Sequence, residues 1–175
     1  YVVSPLDAVA VGNAIETYAL TIFLATPSFM QAYIKRCRAE QFRSVRLAIV
    51  GAEKLRQDIA ERFAEMTDNR IVLVEGYGCT ELSPIVSINI GSSILELGKV
   101  IGKAGSIGSP MPGICVKIVD PVTGVELPPD TDGLMLVKGP NVMQGYLNDP
   151  LQTARVIANG WYDTGDIARM DIDGY

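Results

Sequence analysis

Residues 71–81 read IVLVEGYGCTE, which is a short apolar run, two glycines and a set of polar side chains. The run Ile71–Val74 predicts a strand that ends at Gly76, because short runs of mostly β-branched apolar residues are typical of parallel strands buried on both faces. Upstream, Val45–Val50 has the same character and also ends at a glycine, Gly51. Both runs therefore predict strands of one parallel sheet, each followed by a glycine-containing loop.

The first half of the chain alternates strand-like and helical patterns, which predicts an α/β fold. Apolar residues recur from Leu55 to Met66 at spacings of four, four and three, so they form one stripe on a helix. Thr26-Pro27 supplies an N-cap and a first-turn proline for another helix, and Ser4-Pro5 gives the same signal. The predicted strands are Tyr1–Val3, Leu20–Leu24, Val45–Val50 and Ile71–Val74, and the predicted helices are about Pro5–Tyr18, Pro27–Arg38 and Leu55–Met66.

From Gly105 onward the chain is rich in glycine and proline. Short β-type runs stand at Ile114–Val119, Leu134–Val137 and Ile167–Met170. Such runs separated by turn residues are typical of a small antiparallel sheet or open barrel. We therefore predict an α/β chain with a parallel-sheet αβαβ subdomain over residues 1–97, followed by a small antiparallel β-barrel-like subdomain over residues 98–175.

Composition and charge exclude several functional classes. The 175 residues carry a net charge of −5 without a basic cluster, so nucleic-acid binding has no electrostatic basis. The absence of histidine excludes a Ser-His-Asp or Cys-His nucleophile built from this chain alone. The three cysteines lie far apart, and no apolar run reaches the roughly 18 residues of a membrane span, so we expect a cytoplasmic location. The sequence stops in a hairpin pattern at Asp171–Tyr175, and we expect it to be part of a longer protein.

The loop that follows the strand at residues 71–74 carries the most informative chemistry. Ligands of open parallel sheets bind at the carboxyl ends of the strands, and Gly76 and Gly78 allow a close approach of the backbone. Tyr77 offers a flat ring for stacking, Thr80 a hydroxyl, and Glu81 a carboxylate that can bind Mg²⁺. A tight turn, in which Tyr77 packs inward and Glu81 caps the next element, is an equally good interpretation of these residues alone.

A further candidate is GWYDTGD, residues 160–166. The carboxylate of Asp166, at a predicted strand start, can accept hydrogen bonds from a ribose diol. In the alternative interpretation the segment is a turn in which Asp163 and Asp166 bond to their own backbone, and the local chemistry favours this turn.

Six segments, taken together and in order, resemble the acyl-adenylate-forming superfamily, the AMP-dependent synthetases and ligases. They are ATPS at 25–28, GAE at 51–53, YGCTE at 77–81, GSIGSP at 105–110, the stretch from GP at 139–140 to GY at 145–146, and GWYDTGD at 160–166. They extend over nearly the whole chain, and their shared order makes the resemblance specific.

This resemblance implies a role for each matching residue. Tyr77 would stack on the adenine of ATP, and Asp166 would bind the ribose hydroxyls. Thr80 would contact the α-phosphate and Glu81 would bind Mg²⁺, which makes these two the predicted catalytic residues. The residues that would bind the nucleotide are Gly51, Ala52, Glu53, Gly76, Tyr77, Gly78, Thr80 and Asp166.

The resemblance also implies substrates. The stretches at 51–55, 75–84 and 139–146 are similar to the acyl-acyl-carrier-protein synthetase part of 2-acylglycerophosphoethanolamine acyltransferase. That branch implies a long-chain fatty acid, ATP with AMP as a product, an acyl-carrier-protein thiol as acceptor, and a parent protein at the cytoplasmic face of the inner membrane. A ligase that joins another carboxylic acid to coenzyme A remains open.

Two other interpretations of the whole chain remain. One is a nucleotide-binding module without catalysis, and the other is a scaffold whose glycines only form turns. The superfamily's phosphate-binding loop and its C-terminal catalytic lysine have no counterpart among these 175 residues. We therefore expect the chain by itself to be inactive.

Overall fold

Two structural units make up the residues that the computed structural model describes, which are 4–90, 102–103 and 105–175. The first unit comprises Tyr1–Gly76 and Asn89–Ser106, and the second comprises Tyr77–Ile88 and Ile107–Tyr175. The chain therefore passes from the first unit to the second between Gly76 and Tyr77, within the segment 71–81 quoted above. The predicted boundary between residues 97 and 98 lies outside the described residues.

The first unit is an α/β arrangement around parallel strands, as predicted. Its helices and strands are α1 Ala8–Thr17, β1 Ile22–Ala25, α2 Pro27–Arg36, a 3₁₀ helix at Ala39–Phe42, β2 Leu47–Val50, α3 Gln57–Met66 and β3 Val72–Tyr77, whose last residue opens the second unit. Strand β2 pairs in parallel with both β1 and β3, so that Leu47 is level with Ile22 and with Val72. The predicted strand at Tyr1–Val3 lies outside the described residues.

A series of edge-to-face aromatic contacts forms the centre of this unit's core. Phe42 lies 5.6 Å from Phe23 of β1 and 5.8 Å from Phe63 of α3, measured between ring centroids. Tyr33 of α2 joins the series at 5.5 Å from Phe23. Such contacts add to the free energy gained by burying the rings. Helix α3 and strand β1 thus both contact the central ring of Phe42, and α2 is joined to it through Phe23.

Two local predictions in this unit are wrong. Helix α1 is capped by Asp7, whose carboxylate accepts from the Ala10 N–H at 3.0 Å, while the Ser4 hydroxyl bonds to the Leu6 N–H outside the helix. Strand β1 is not buried on both faces, because Ile22 and Leu24 are exposed. The predicted cap of α2 is confirmed, since the Thr26 hydroxyl accepts from the Phe29 N–H.

The second unit is built on antiparallel strands, and its curled sheet confirms the predicted β-rich half. Its elements are a 3₁₀ helix at Thr80–Leu82, β4 Ser87–Ile88, β5 Ser109–Pro110, β6 Cys115–Val119, β7 Gly133–Lys138, α4 Pro150–Val156, β8 Ile157–Ala158 and β9 Trp161–Ala168. Strand β4 pairs with β5, and the larger sheet has the order β6-β7-β9-β8. Leu82, Val86, Val137 and Tyr162 are among the residues buried in its core.

The turn favoured at residues 160–166 is present in part, since the Asp163 carboxylate accepts from the Gly165 N–H at 2.9 Å, but the segment as a whole is strand β9. It runs from Trp161 to Ala168, and its register against β7 shifts between Leu134 and Leu136. The irregularity contains Gly165, whose φ of 73° lies in the left-handed region that glycine tolerates. The local turn is therefore a bulge within a strand. None of the helices in the described part of the chain is long and apolar enough to cross a membrane.

We expect Phe63→Ala to lower the free energy of unfolding by about 3–5 kcal/mol, because it leaves a cavity beneath the central ring. Phe63→Leu should cost less, since it leaves a smaller cavity. Val9→Ala, at a helical position that is 53% exposed, is the control and should stay within about 0.5 kcal/mol of the parent. Urea denaturation measures all three, and equal values for Phe63→Ala and Val9→Ala would contradict the assigned core.

Candidate functional site

Gly51, which follows β2, lies against Gly76, which belongs to β3, within the first unit. A Cβ atom placed on Gly51 would lie 2.9 Å from the carbonyl oxygen of Gly76, so the two backbones approach more closely than any larger residue permits. Ala52, the next residue, has a φ of 67°, which is uncommon for a residue with a side chain. The first unit therefore brings Gly51 and Gly76 together.

Glu75 ties the first loop to β3. Its carboxylate accepts from the Leu55 N–H at 3.1 Å, and burial raises the pKa of this carboxyl, partly offset by that bond and by the charge of Lys54. At the same loop, the Ser28 hydroxyl donates to the Glu53 carboxylate at 2.6 Å. Both contacts hold residues 53–55 in place. No role for Glu75 was predicted from the sequence, because its partner is a backbone N–H twenty residues away.

In the second unit, Tyr77 and Asp166 form a direct pair. The Tyr77 hydroxyl donates to the Asp166 carboxylate at 2.5 Å, across 89 residues of sequence. Burial raises the pKa of the Tyr77 phenol, and its bond to Asp166 raises it further. The Asp166 carboxylate itself is exposed on β9. Two predicted nucleotide-binding residues from separate motifs therefore lie side by side.

A tight reversal of the chain holds Tyr77 in this position. The Val86 N–H donates to the Tyr77 carbonyl at 2.8 Å, which closes the loop from 77 to 86. A Cβ atom on Gly78 would lie 1.7 Å from the Pro84 carbonyl oxygen, so only glycine fits. Tyr77 is half-buried: its ring packs against the core of the second unit, as the alternative interpretation expects, while its hydroxyl is bonded to Asp166.

Thr80 and Glu81 lie on the 3₁₀ helix within this loop. Thr80 is exposed, while the Glu81 carboxylate accepts from the Tyr146 hydroxyl at 3.0 Å. The backbone N–H of Glu81 and the Tyr146 hydroxyl hold the pKa of this carboxyl below its usual value, so Glu81 is ionised at neutral pH. Cys79 also contacts the carboxylate. Burial raises the pKa of the Cys79 thiol, and the neighbouring Glu81 carboxylate raises it further.

The donor set around Glu81 fits Mg²⁺ better than a structural metal. The part of the chain that the structure describes contains no group of three or more His, Cys, Asp or Glu side chains that could enclose a metal ion. Mg²⁺ in nucleotide sites is typically held by one or two carboxylates, with phosphates and water completing its shell. A single ionised carboxylate with one oxygen fixed by a neutral phenol matches that pattern.

The structure thus arranges the predicted residues in two sets. Gly51, Ala52, Glu53 and Gly76 belong to the first unit, and Tyr77, Gly78, Thr80, Glu81 and Asp166 belong to the second. Tyr77 with Asp166 is the pair brought into contact, while the nucleotide and metal roles of all nine remain predictions. The sequence missed Tyr146 and Tyr162 as neighbours of the site, and their only signal was the position of each within a matching segment.

Comparison with known proteins finds one matching family and several relatives. The model of a family described as AMP-binding enzyme matches residues 2–147. A feruloyl-CoA synthase from Amycolatopsis sp. is 35% identical over 98% of this chain and 33% of its own length. A long-chain-fatty-acid–CoA ligase from Escherichia coli is 35% identical over 99% of this chain and 30% of its own length.

A solved structure shares the fold. The crystal structure of ATP-bound MatB from Rhodopseudomonas palustris has a TM-score of 0.78 and 28% identity, over 97% of this chain and 32% of that protein. This chain therefore spans about a third of the length of the relatives that it matches.

We expect Glu75→Gln to change how stability depends on pH. The pKa of Glu75 is raised in the native state, so its favourable contribution is fully present below the unfolded pKa of about 4.3 and is lost as pH rises through the native pKa. A glutamine at this position can still accept from the Leu55 N–H. Because it does not ionise, it does not lose stability as the pH rises. Unfolding free energies measured from pH 4 to pH 7 should therefore shift in favour of Glu75→Gln as pH rises, and parallel curves would contradict this.

Proposed function

Because the chain belongs to the AMP-binding enzyme family, we propose that it is part of an ATP-dependent acid–thiol ligase. Such an enzyme joins a carboxylic acid to AMP and then passes the acyl group to a thiol. Since the chain spans about a third of its relatives, the activity is proposed for the full-length protein that contains it.

The contact between Tyr77 and Asp166 is the observation that carries this proposal. An aromatic ring and an exposed carboxylate, held together by a hydrogen bond, can bind the base and the ribose of one nucleotide. The ring offers a face for stacking, and the carboxylate offers acceptors for two hydroxyls. A scaffold in which the glycines only form turns has no need for this pairing.

The proposed reaction has two steps. An oxygen of the substrate carboxylate attacks the α-phosphorus of ATP, the bond to pyrophosphate breaks, and an acyl-adenylate forms. The sulfur of the acceptor thiol then attacks the acyl carbon, AMP leaves, and the thiol gives up its proton. The first step brings two anions together, so positioning and charge stabilisation by the protein are the main sources of rate.

Three residues would serve the first step. Thr80, exposed at the start of its 3₁₀ helix, would donate its hydroxyl to the α-phosphate, and Asp166 would hold the ribose. Glu81 would hold Mg²⁺, which supplies the positive charge that offsets the phosphates in this chemistry.

The relatives named above point to coenzyme A as the acceptor, because they are a feruloyl-CoA synthase and a long-chain-fatty-acid–CoA ligase. Their acids differ, so we propose a carboxylic acid as the substrate class and a long-chain fatty acid as the first to test. Transfer to an acyl-carrier-protein thiol remains the finer prediction of the sequence. Assays that offer each thiol separately distinguish the two acceptors.

We expect the full-length protein to catalyse acid-dependent exchange of pyrophosphate into ATP. Glu81→Ala should lower the exchange rate more than about a hundredfold, because it removes the carboxylate proposed to bind the cation. A panel with long-chain fatty acids, ferulate and short acids identifies the substrate.

Glu61→Ala is the matched control, since it removes an exposed carboxylate from α3 and should leave exchange unchanged. Absence of exchange with every acid would refute the ligase proposal and leave a nucleotide-binding module.

We expect AMP to raise the melting temperature of the full-length protein, and Asp166→Asn to weaken AMP binding by about tenfold, because a bond to a charged acceptor contributes roughly 1.5–3 kcal/mol. Asp163→Asn makes the same change three residues away on β9 and should bind AMP like the parent. Calorimetric titration measures both, and equal affinities for the two variants would exclude Asp166 as the ribose-binding residue.

A further inference from the structure

We propose that Tyr146 is a positioning residue that holds the Glu81 carboxylate in the orientation in which it binds the divalent cation of the adenylation step. This inference rests on the proposed function. It gives a role to a residue outside the set of nucleotide and metal contacts considered above.

The contact between the two side chains has the geometry such a role requires. The Tyr146 hydroxyl donates to Oε1 of Glu81 at 3.0 Å, from a position 65 residues later in the sequence. Hydrogen bonds to ionised acceptors are stronger than neutral ones, so this bond restricts rotation of the carboxylate. Groups that orient a metal-binding side chain commonly change metal affinity by 10–100-fold when they are removed.

The donor is neutral, which matters for this chemistry. An arginine or lysine at the same place would orient the carboxylate but would also offset its charge and repel a cation. A phenol orients the carboxylate and leaves its negative charge available. Tyr146 therefore fixes direction and weakens the attraction for Mg²⁺ less than a cationic donor would.

The segment that carries Tyr146 is bound to the helix that carries Glu81. The Met143 N–H donates to the Glu81 carbonyl at 2.8 Å, and the Asn141 amide donates to the Leu82 carbonyl at 3.0 Å. These two bonds place residues 141–146 directly on the 3₁₀ helix. The distance between the Tyr146 backbone and Glu81 is thus set by backbone contacts, not by the phenol alone.

Tyr146 is also fixed on its other side. The Thr153 hydroxyl of α4 accepts from the Tyr146 N–H at 2.9 Å and donates to the Asp149 carbonyl at 2.8 Å. A Cβ atom on Gly145 would lie 2.8 Å from the Thr153 side chain, so the chain reaches Tyr146 through a position that favours glycine. Tyr146 is therefore held in place before any ligand arrives.

A second phenol supports the first. Tyr162 of β9 is buried and interacts with the Tyr146 hydroxyl, so Tyr162, Tyr146 and Glu81 form a short series of polar groups. The Tyr146 proton is directed to the carboxylate, because ionised Glu81 can only accept this bond. This arrangement predicts that loss of the Tyr162 hydroxyl acts in the same direction as loss of the Tyr146 hydroxyl, but more weakly.

The test compares Tyr146→Phe with the parent in the full-length protein. Binding of Mn²⁺, as a spectroscopic substitute for Mg²⁺, is measured by electron paramagnetic resonance in the presence of a non-hydrolysable ATP analogue. We expect affinity for Mn²⁺ to fall about tenfold or more. In the exchange assay, the Mg²⁺ concentration for half-maximal rate should rise, with the KM for the acid unchanged.

Tyr33→Phe is the matched control. It removes the same atom, together with a hydrogen bond of 2.7 Å to the Pro5 carbonyl, at a buried site in the first unit. It should lower the melting temperature without altering affinity for Mn²⁺. Tyr162→Phe is the second variant and should give the smaller shift described above.

The outcomes separate the two proposals. If the parent catalyses exchange and Tyr146→Phe has the parent's affinity for Mn²⁺, the positioning role is refuted and the ligase proposal stands. If Tyr146→Phe and Tyr33→Phe weaken Mn²⁺ binding equally, the effect is general destabilisation and the role is also refuted. If the parent shows neither exchange nor Mn²⁺ binding with the analogue, the ligase proposal fails and the role fails with it.

Discussion

The geometry of the second unit's site depends on one backbone constraint, the reversal of the chain between Tyr77 and Val86. The Val86 N–H closes this loop on the Tyr77 carbonyl at 2.8 Å, and the chain returns so near that a Cβ on Gly78 would lie 1.7 Å from the Pro84 carbonyl oxygen. Because these contacts constrain the loop backbone, they also set the directions in which the Tyr77 and Glu81 side chains project. Each then meets a partner from a distant part of the sequence.

Both of those partners make the same kind of contact, a phenol donating to a carboxylate. Tyr77 donates to Asp166, and Tyr146 donates to Glu81. An ionised carboxylate accepts hydrogen bonds and donates none. A neutral donor can therefore orient it without cancelling its charge. The charge remains available for the ligands that the proposed function requires, ribose hydroxyls in one case and a cation in the other. A site built with arginine or lysine at these positions would hold its carboxylates as firmly but would leave them less able to bind either ligand.

Short-range chemistry explains which predictions from the sequence were confirmed. Thr26 caps α2 because its hydroxyl reaches the N–H of a residue three positions later. The apolar stripe from Leu55 to Met66 predicted α3 because its period is that of a helix. The same reasoning placed the cap of α1 at Ser4, whereas the observed cap is Asp7, a residue of capping type three positions later. It also favoured a local turn at residues 160–166, where the Asp163 carboxylate does accept from the Gly165 N–H, but it did not show that the segment pairs with β7 as a strand.

The sequence by itself determined the α/β class, the order of the first unit's helices and strands, and the residue types that a nucleotide site needs, because these follow from periodicity, capping and motif order along the chain. The tertiary structure decided which of those residues meet. The bond from Tyr77 to Asp166 spans 89 residues, that from Tyr146 to Glu81 spans 65, and that from Leu55 to Glu75 spans 20. No local pattern encodes such pairings, because each depends on how the strands are registered and on where a loop is forced to turn back.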